Sequence, residues 1–241
     1  MLLAIDTSTR YAGVALANDD RVVASHAWHS TYNHTAELMP AVVSILEHGG
    51  LTAADLDGIA VALGPGGFSA LRVGISVAKG LSLVTKKPIV GVGTLDLDAY
   101  PYLKSGVQVC ALIETGREEC ATALFGRDGI RIREDQVCTA DDLAVEVKGP
   151  AIFCGEGVTA WQDQIAEALG ADAQIVRSVP AVRVWALAVI GQEKLTAGEA
   201  DDLTTLQPEY LRMPSIGVRK QRDRLPQGRR PIPKPVRRPV R

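Results

Sequence analysis

The chain has 241 residues, 46% of them hydrophobic and 22% charged, an ordinary globular balance that excludes a wholly disordered protein. That length allows one large domain or two of about 100 residues each. Aromatic residues make up only 5% while there are 23 glycines, so a core here must be built from small and branched aliphatic side chains. No apolar run reaches the roughly 20 residues that span a bilayer. The opening MLLAIDTST has neither the basic start nor the long apolar stretch of a secretory signal, so a cytoplasmic protein with no membrane association is expected.

The net charge of −2 conceals a division. From Arg212 to Arg241 the chain holds eleven Lys and Arg against one acid, Asp223, a net of +10; the remainder carries −12. The same 30 residues hold six of the 13 prolines and show no hydrophobic periodicity. Such a segment cannot bury enough apolar area to offset its ordering entropy, which predicts a disordered basic tail over 213–241. The four cysteines, Cys110, Cys120, Cys138 and Cys154, show no C-x-x-C spacing and no histidine at zinc-ligand intervals. They read as reduced core thiols.

In chain order, LLAID (2–6) is an apolar run closing on an acid, AGVALAND (12–19) a second strand and RVVASHAWH (21–29) a third, joined by tight turns into an antiparallel meander. Leu38, Val42, Ile45 and Leu46 then recur at helical spacing, and Gly49-Gly50 ends that helix. Thr52 and Asp55 have the spacing of a capping box. DGIAVALGPGGF predicts a buried strand entering a glycine loop, followed by a long helix over about 69–84, a strand at PIVGVG (88–93) and a helix capped by Thr94 that ends before Pro101.

A second block repeats the plan. VQVCALIE (107–114), CATALFG (120–126) and IRIREDQV (130–137) predict another three-strand meander, Thr139 and Asp142 another capping box, and PAIFCGEG (150–157) a strand with a glycine turn. Helices over about 159–169 and 183–196 complete it. A meander followed by alternating helices and strands, twice over, points to an α/β fold of duplicated actin/sugar-kinase/Hsp70-like halves, each a mixed sheet with helices. The predicted boundaries are 1–103, 104–212 and the tail 213–241.

Two segments carry chemistry. An acid at a strand end followed by hydroxyl residues, Asp6-Thr7-Ser8, either holds Mg²⁺-bound phosphates or only satisfies its own turn amides. With Gly155 and Gly157 it sketches the remnant of an ATP site, and a purely structural role for these glycines is the other reading. In GPGGFSALRVGISVAKGL (64–81) the glycines allow close backbone approach, and the loop opens into a helix start without the G-K-[ST] of a P-loop. Along that helix Ala70, Gly74, Ala78 and Ser82 form a stripe of small side chains, which serves either helix-on-sheet packing or an interface between chains.

Together IDTST, GPGGFSALRVGISVAKGL and PEYLR (208–212) resemble the TsaB (YeaZ) family, whose central motif is usually G-P-G-S-F-T-G-L-R-[IV]-G; here Gly67, Ser69 and Ala70 depart from it. IETGREEC (113–120) is a weaker match, with Glu114 and Glu119 at corresponding places. The resemblance covers about residues 1–212. It implies a non-catalytic dimerisation and scaffold subunit of the machinery that makes threonylcarbamoyladenosine beside the tRNA anticodon. The implied partners are the catalytic paralogue TsaD, the ATPase TsaE and tRNA through the complex, with a homodimer also allowed.

The resemblance also implies that the helices around the glycine motif form the partner surface, here Gly64, Pro65, Gly66, Gly67, Phe68, Ser69, Ala70, Leu71, Arg72, Gly74 and Ala78. The paralogue's H-x-x-x-H metal motif is broken, since Leu38 follows His34 at the fourth place, and neither His26 and His29 nor His48 restores it. No metal, no catalytic residue and no intrinsic cofactor are therefore expected, with ATP and Mg²⁺ only weakly allowed. The alternative reading is a stand-alone ATP-binding transferase or kinase of the same fold. A third function, attraction of tRNA phosphates, attaches to the basic tail.

Overall fold

A computed structural model describes residues 1–211 apart from Asp20 and Arg117; the tail expected to be disordered lies outside the described residues. The first sheet consists of β1 (Leu2–Asp6), β2 (Tyr11–Asn18), β3 (Arg21–His29), β4 (Gly58–Gly64) and β5 (Ile89–Gly93), in the order β3-β2-β1-β4-β5. Helix α1 (His34–His48) connects β3 to β4, and α2 (Phe68–Thr85) connects β4 to β5. The meander pairs antiparallel, Leu3 opposite Leu16 and Tyr11 opposite His29, while β4 joins β1 in parallel with Leu3 opposite Ile59.

After α3 (Thr94–Ala99) the second sheet follows, with β6 (Gln108–Gly116), β7 (Glu119–Phe125), β8 (Gln136–Cys138), α4 (Ala140–Glu146), β9 (Ala151–Cys154), α5 (Val158–Leu169), β10 (Ala173–Ile175) and then α6 (Pro180–Thr196). Its order, β10-β9-β6-β7-β8, is the first sheet's order with β6 in the place of β1 and β9 in the place of β4. The duplication read from the sequence is therefore a duplication of topology. Both capping boxes form, Thr52 with Asp55 and Thr139 with Asp142.

Three local expectations are corrected. Only the end of IRIREDQV is strand: Gln136–Cys138 pairs with β7, and before it Arg131 makes a single bridge to Phe125. Ile130 and Ile132, whose alternation imitates a half-buried strand, are exposed. The short parallel strand β10, too brief to leave a periodic signature, was not expected. The last helix, read as completing the second block, packs instead on the first sheet, against β1 through β5.

The reason for that last placement is side-chain size. Every residue of β1 is buried, and alternate residues serve opposite faces. Leu3 and Ile5 join Val14, Leu16, Ile59 and Val61 under α1 and α2. Leu2 and Ala4 join Ala15, Ala17, Ala60 and Ala62 on the other side, where alanines leave room for Val184, Leu187 and Ala188 of α6 to approach. A second pair of cores flanks the second sheet, one under α4 and α5 and one around Leu95 and Ala99 of α3. The four cysteines are free and buried in these layers, and burial pushes the Cys120 thiol up to about 12.

Helix α2 passes by length and composition as a membrane span. Leu71, Gly74, Ile75, Ala78 and Ser82 of this helix are buried against the body of the chain, while Leu83 and Val84 are exposed.

Candidate functional site

Two places gather the residues singled out in the sequence, the cleft between the sheets and the glycine shoulder at the start of α2.

In the cleft, β1 delivers Asp6 to the turn 7–9, and its carboxylate is fully engaged within the chain. Oδ1 accepts from the backbone N–H of Ser8 at 2.8 Å and from its hydroxyl at 2.6 Å. Oδ2 accepts from Nε of Arg183 at 2.6 Å. Arg183, in the first turn of α6, is 1% exposed. Its Nη1 donates to Glu156 at 2.8 Å, and Nη2 donates to the Thr9 hydroxyl at 2.7 Å and to the Tyr11 carbonyl. Thr9 also donates to Glu156. Burial alone opposes the guanidinium's charge, but Asp6, Asp98 and Glu156 around it more than restore it.

The cleft thus carries its own cation. Two carboxylates that in a phosphate site would face a metal ion here face a guanidinium carried by α6, the helix packed on the same sheet as Asp6. Gly155 and Gly157 do come close to this cluster, yet their local constraint is structural. A side chain on Gly155, which has φ +93°, would stand 2.3 Å from the Leu112 carbonyl oxygen, and the Gly157 N–H donates to that same oxygen at 2.9 Å. Both glycines press the turn against β6.

Asp98, on α3, faces the same cluster. It is 6% exposed, its Oδ1 meets the Ser178 hydroxyl at 3.5 Å, and its Oδ2 has no partner. Burial, reinforced by Glu156 and Asp6 and opposed by Arg183, pushes its carboxyl up to about 7. A cavity of about 10 Å³ beside it, bordered by Arg177, Ser178 and Tyr102, has the size of one water molecule. His34 is buried with Nε2 2.9 Å from the Thr9 carbonyl oxygen, and Leu38 lies in the core.

At the glycine shoulder the chain folds back on its own first turn. Gly67 N–H donates to the Ser8 carbonyl at 2.7 Å, and a Cβ on Gly66 would fall 2.1 Å from that oxygen. Thr7 reaches across to the Ala70 carbonyl at 2.7 Å, and a Cβ on Gly74 would fall 2.3 Å from the Thr7 hydroxyl. The small-residue stripe is therefore a packing stripe. Of the residues expected at the partner surface, Gly64, Pro65, Leu71, Gly74 and Ala78 are buried inside the chain. Gly66, Gly67, Phe68, Ser69, Ala70 and Arg72 remain at least partly accessible.

The face that is open lies on the other side of α2. Ser69, Arg72, Ser76, Gly80, Leu83 and Val84 are exposed there, Leu83 and Val84 at 68% and 81%. These residues fall within about 120° of one another around the helix at 100° per residue, opposite Ala78. At the head of this face Phe68 stacks on Tyr210 with ring centroids 5.0 Å apart, and Arg72 lies 3.9 Å over the Phe68 ring. Arg72 Nε donates to the Tyr210 hydroxyl at 3.1 Å.

Sequence reasoning found Asp6, Ser8, Phe68 and Arg72 but missed Arg183, Glu156 and Asp98. A signal for Arg183 was present, a lone charge within the apolar run PAVRVWALAVIG. Nothing local marks Glu156 or Asp98.

Two mixed sheets of one topology, bridged by the Asp6–Arg183–Glu156 cluster, define the actin/sugar-kinase/Hsp70 class of folds. The particular relatives narrow this further. The family model described as TsaD, tRNA N6-adenosine threonylcarbamoyltransferase, matches residues 28–215. The Bacillus subtilis "tRNA threonylcarbamoyladenosine biosynthesis protein TsaB" is 31% identical, covering 88% of this chain and 94% of that protein. The Escherichia coli protein of the same name is 34% identical over 67% of this chain and 74% of its own length. Among solved structures, YeaZ from Pseudomonas aeruginosa superposes with a TM-score of 0.71 at 27% identity, over 87% of this chain and 99% of that one. A tRNA N6-adenosine threonylcarbamoyltransferase from Trichlorobacter lovleyi, in contrast, shares 38% identity over only 38% of this chain and 32% of its own. This chain belongs to the TsaB (YeaZ) family, within the larger group that the TsaD model describes.

Proposed function

We propose that this chain is the scaffold subunit of a tRNA threonylcarbamoyladenosine-forming complex, inactive alone. It would dock a TsaD-type catalytic paralogue on the outer face of α2 and the adjoining glycine shoulder. Family membership supports the pathway. The observation that carries the subunit role is the cleft, where Arg183 already occupies the acids that would face a nucleotide's metal and phosphates. A chain so built works without a bound nucleotide and offers its surface instead of its cleft. Exposed Leu83 and Val84, with Ser76 and Gly80 allowing close approach, give α2 an apolar, low-relief outer face suited to another helix. A TsaE-type ATPase and tRNA join through the complex, in the cytoplasm.

The test mixes the full chain with its cognate paralogue and measures mass by size-exclusion chromatography with light scattering, alongside threonylcarbamoyl transfer. A heterodimer and transfer only in the mixture are expected. Gly80→Trp, where a Cβ meets nothing within 4 Å, should unfold at the same temperature as the parent and bind the paralogue at least tenfold more weakly. Transfer by the chain alone, or tight ATP binding abolished by Asp6→Asn, overturns the proposal.

A further inference from the structure

The first sheet ends at β3, which pairs with β2 alone. Alternate N–H and C=O groups along its outer side therefore point away from the sheet, and no strand among the described residues takes them up. Edges of this kind are usually guarded by Lys, Pro or a covering element. From Val22 to His29 there is neither Lys nor Pro. The one guard is a bulge at Val23, the extra residue between the pairs Ala17 with Val22 and Leu16 with Ala24. From Ala24 onward the strand is regular.

A groove of about 730 Å³ lies between this strand and α1. Ala24, His26 and Trp28, alternate residues on one face of β3, form one side of it. Ala24 and Trp28 pack on the first core, and the rings of His26 and Trp28 stack with centroids 5.3 Å apart. Glu37, Ala41, Ser44, Ile45 and His48 of α1 form the other side. These five fall within about 100° around the helix and face away from the exposed Met39 and Val43. Trp28 Nε1 donates to Glu37 at 3.0 Å, which fixes one end. About 13 Å along the strand from Trp28 stands Ala24, and about 12 Å along the helix from Glu37 stands Ile45, both in the first core. The groove thus has an acidic end at Glu37 and an apolar end at Ala24 and Ile45.

The open backbone along β3 selects an occupant that is itself extended. Side chains of an added strand return to the same face every second residue, about 6.6 Å, so residues four apart reach the two ends. Glu37 is the one carboxylate among the described residues that line the groove, and no Lys or Arg lines it. Hydrogen bonds from Ser30 and Trp28 hold its carboxyl below the usual range, which leaves it ionised at neutral pH. It is complementary to a basic side chain. A second copy's β3 would bring only Ala24, His26 and Trp28, which already line that copy's own groove, so edge-to-edge pairing would leave both grooves unfilled. The chain's own residues 212–241 carry six prolines, which donate no hydrogen bond to a ladder.

We propose that the groove between β3 and α1 binds an extended segment of a partner protein by strand addition, with a Lys or Arg at Glu37 and an apolar residue four positions away over Ala24 and Ile45. The site shares no residue with the outer face of α2 and does not depend on the subunit reading.

The experiment selects random twelve-residue peptides displayed on phage against the full chain, then measures the affinity of the selected peptides made synthetically. They should share a basic and an apolar residue four apart. Ser44→Trp fills the groove from an exposed position; it should unfold at the parent's temperature and bind them at least tenfold more weakly. Glu37→Gln keeps an acceptor for Trp28 and should weaken the basic peptides about two- to fivefold, while leaving their Lys/Arg→Gln versions unchanged. Gly80→Trp should bind them like the parent. In hydrogen exchange the peptide should protect the amides of β3 that point away from β2.

An absence of selected peptides overturns the inference, as do peptides that bind Ser44→Trp like the parent or share acidic residues instead. Tight binding that leaves the outward β3 amides unprotected overturns strand addition. Outward amides already protected in the free chain assign the edge to the chain's own residues, and protection that grows with protein concentration assigns it to a second copy; either result overturns a partner segment as the occupant.

Discussion

Asp98 sits in the fold at a cost that pH should reveal. Its carboxyl is buried, one oxygen is unpartnered, and its folded value is about 7 against an ordinary 3.8. The folded chain therefore holds a proton that the unfolded chain has released throughout the interval between those values. Stability must fall as pH rises through that window, and the loss is complete above about pH 8. About three pH units at about 1.4 kcal/mol each set a ceiling of about 4 kcal/mol. Asp98→Asn removes the charge and keeps the shape; its buried amide gives back about 1–2 kcal/mol for imperfect hydrogen bonding. The variant should then be more stable than the parent by about 2 kcal/mol at pH 8, and equal or slightly less stable at pH 4.5, where both side chains are neutral. Urea unfolding at the two pH values reads this directly. A difference between the proteins that does not change with pH, or a variant weaker than the parent at pH 8, refutes the reasoning.

Two further substitutions separate packing from docking. Gly74→Ala puts a methyl group against the Thr7 hydroxyl and disrupts its bond to the Ala70 carbonyl. A loss of about 1–3 kcal/mol in urea unfolding is expected, whereas unchanged stability with lost paralogue binding would return the inner stripe to the interface. Arg183→Met removes the cation from beside Asp6 and Glu156. Leaving buried Asp6 and half-buried Glu156 without their cation should cost about 3–5 kcal/mol in urea unfolding; unchanged stability would mean that the guanidinium's pairing contributes nothing to the fold there.

Much of this architecture is written locally. The meanders, the capping boxes at Thr52 and Thr139 and the glycine loop before α2 each follow from runs of a few residues whose periodicity or turn chemistry leaves little choice. Repetition of the pattern was enough to identify a duplicated fold. Where periodicity misled, as at Ile130 and Ile132, alternation was present beside β7 but the two isoleucines are left exposed.

The sequence by itself determined the class of fold, the family and the separation of charge, because these depend on local pattern, motif order and composition. Only the tertiary structure decided which side of α2 is buried, because a helix with small residues on one face and apolar residues on the other can pack either way until Thr7 fills the notch at Gly74. It alone assembled Asp6, Glu156 and Arg183, which stand up to 177 residues apart. No local rule pairs them, since the pairing exists only after alanines on one face of the first sheet have let α6 cross back over it.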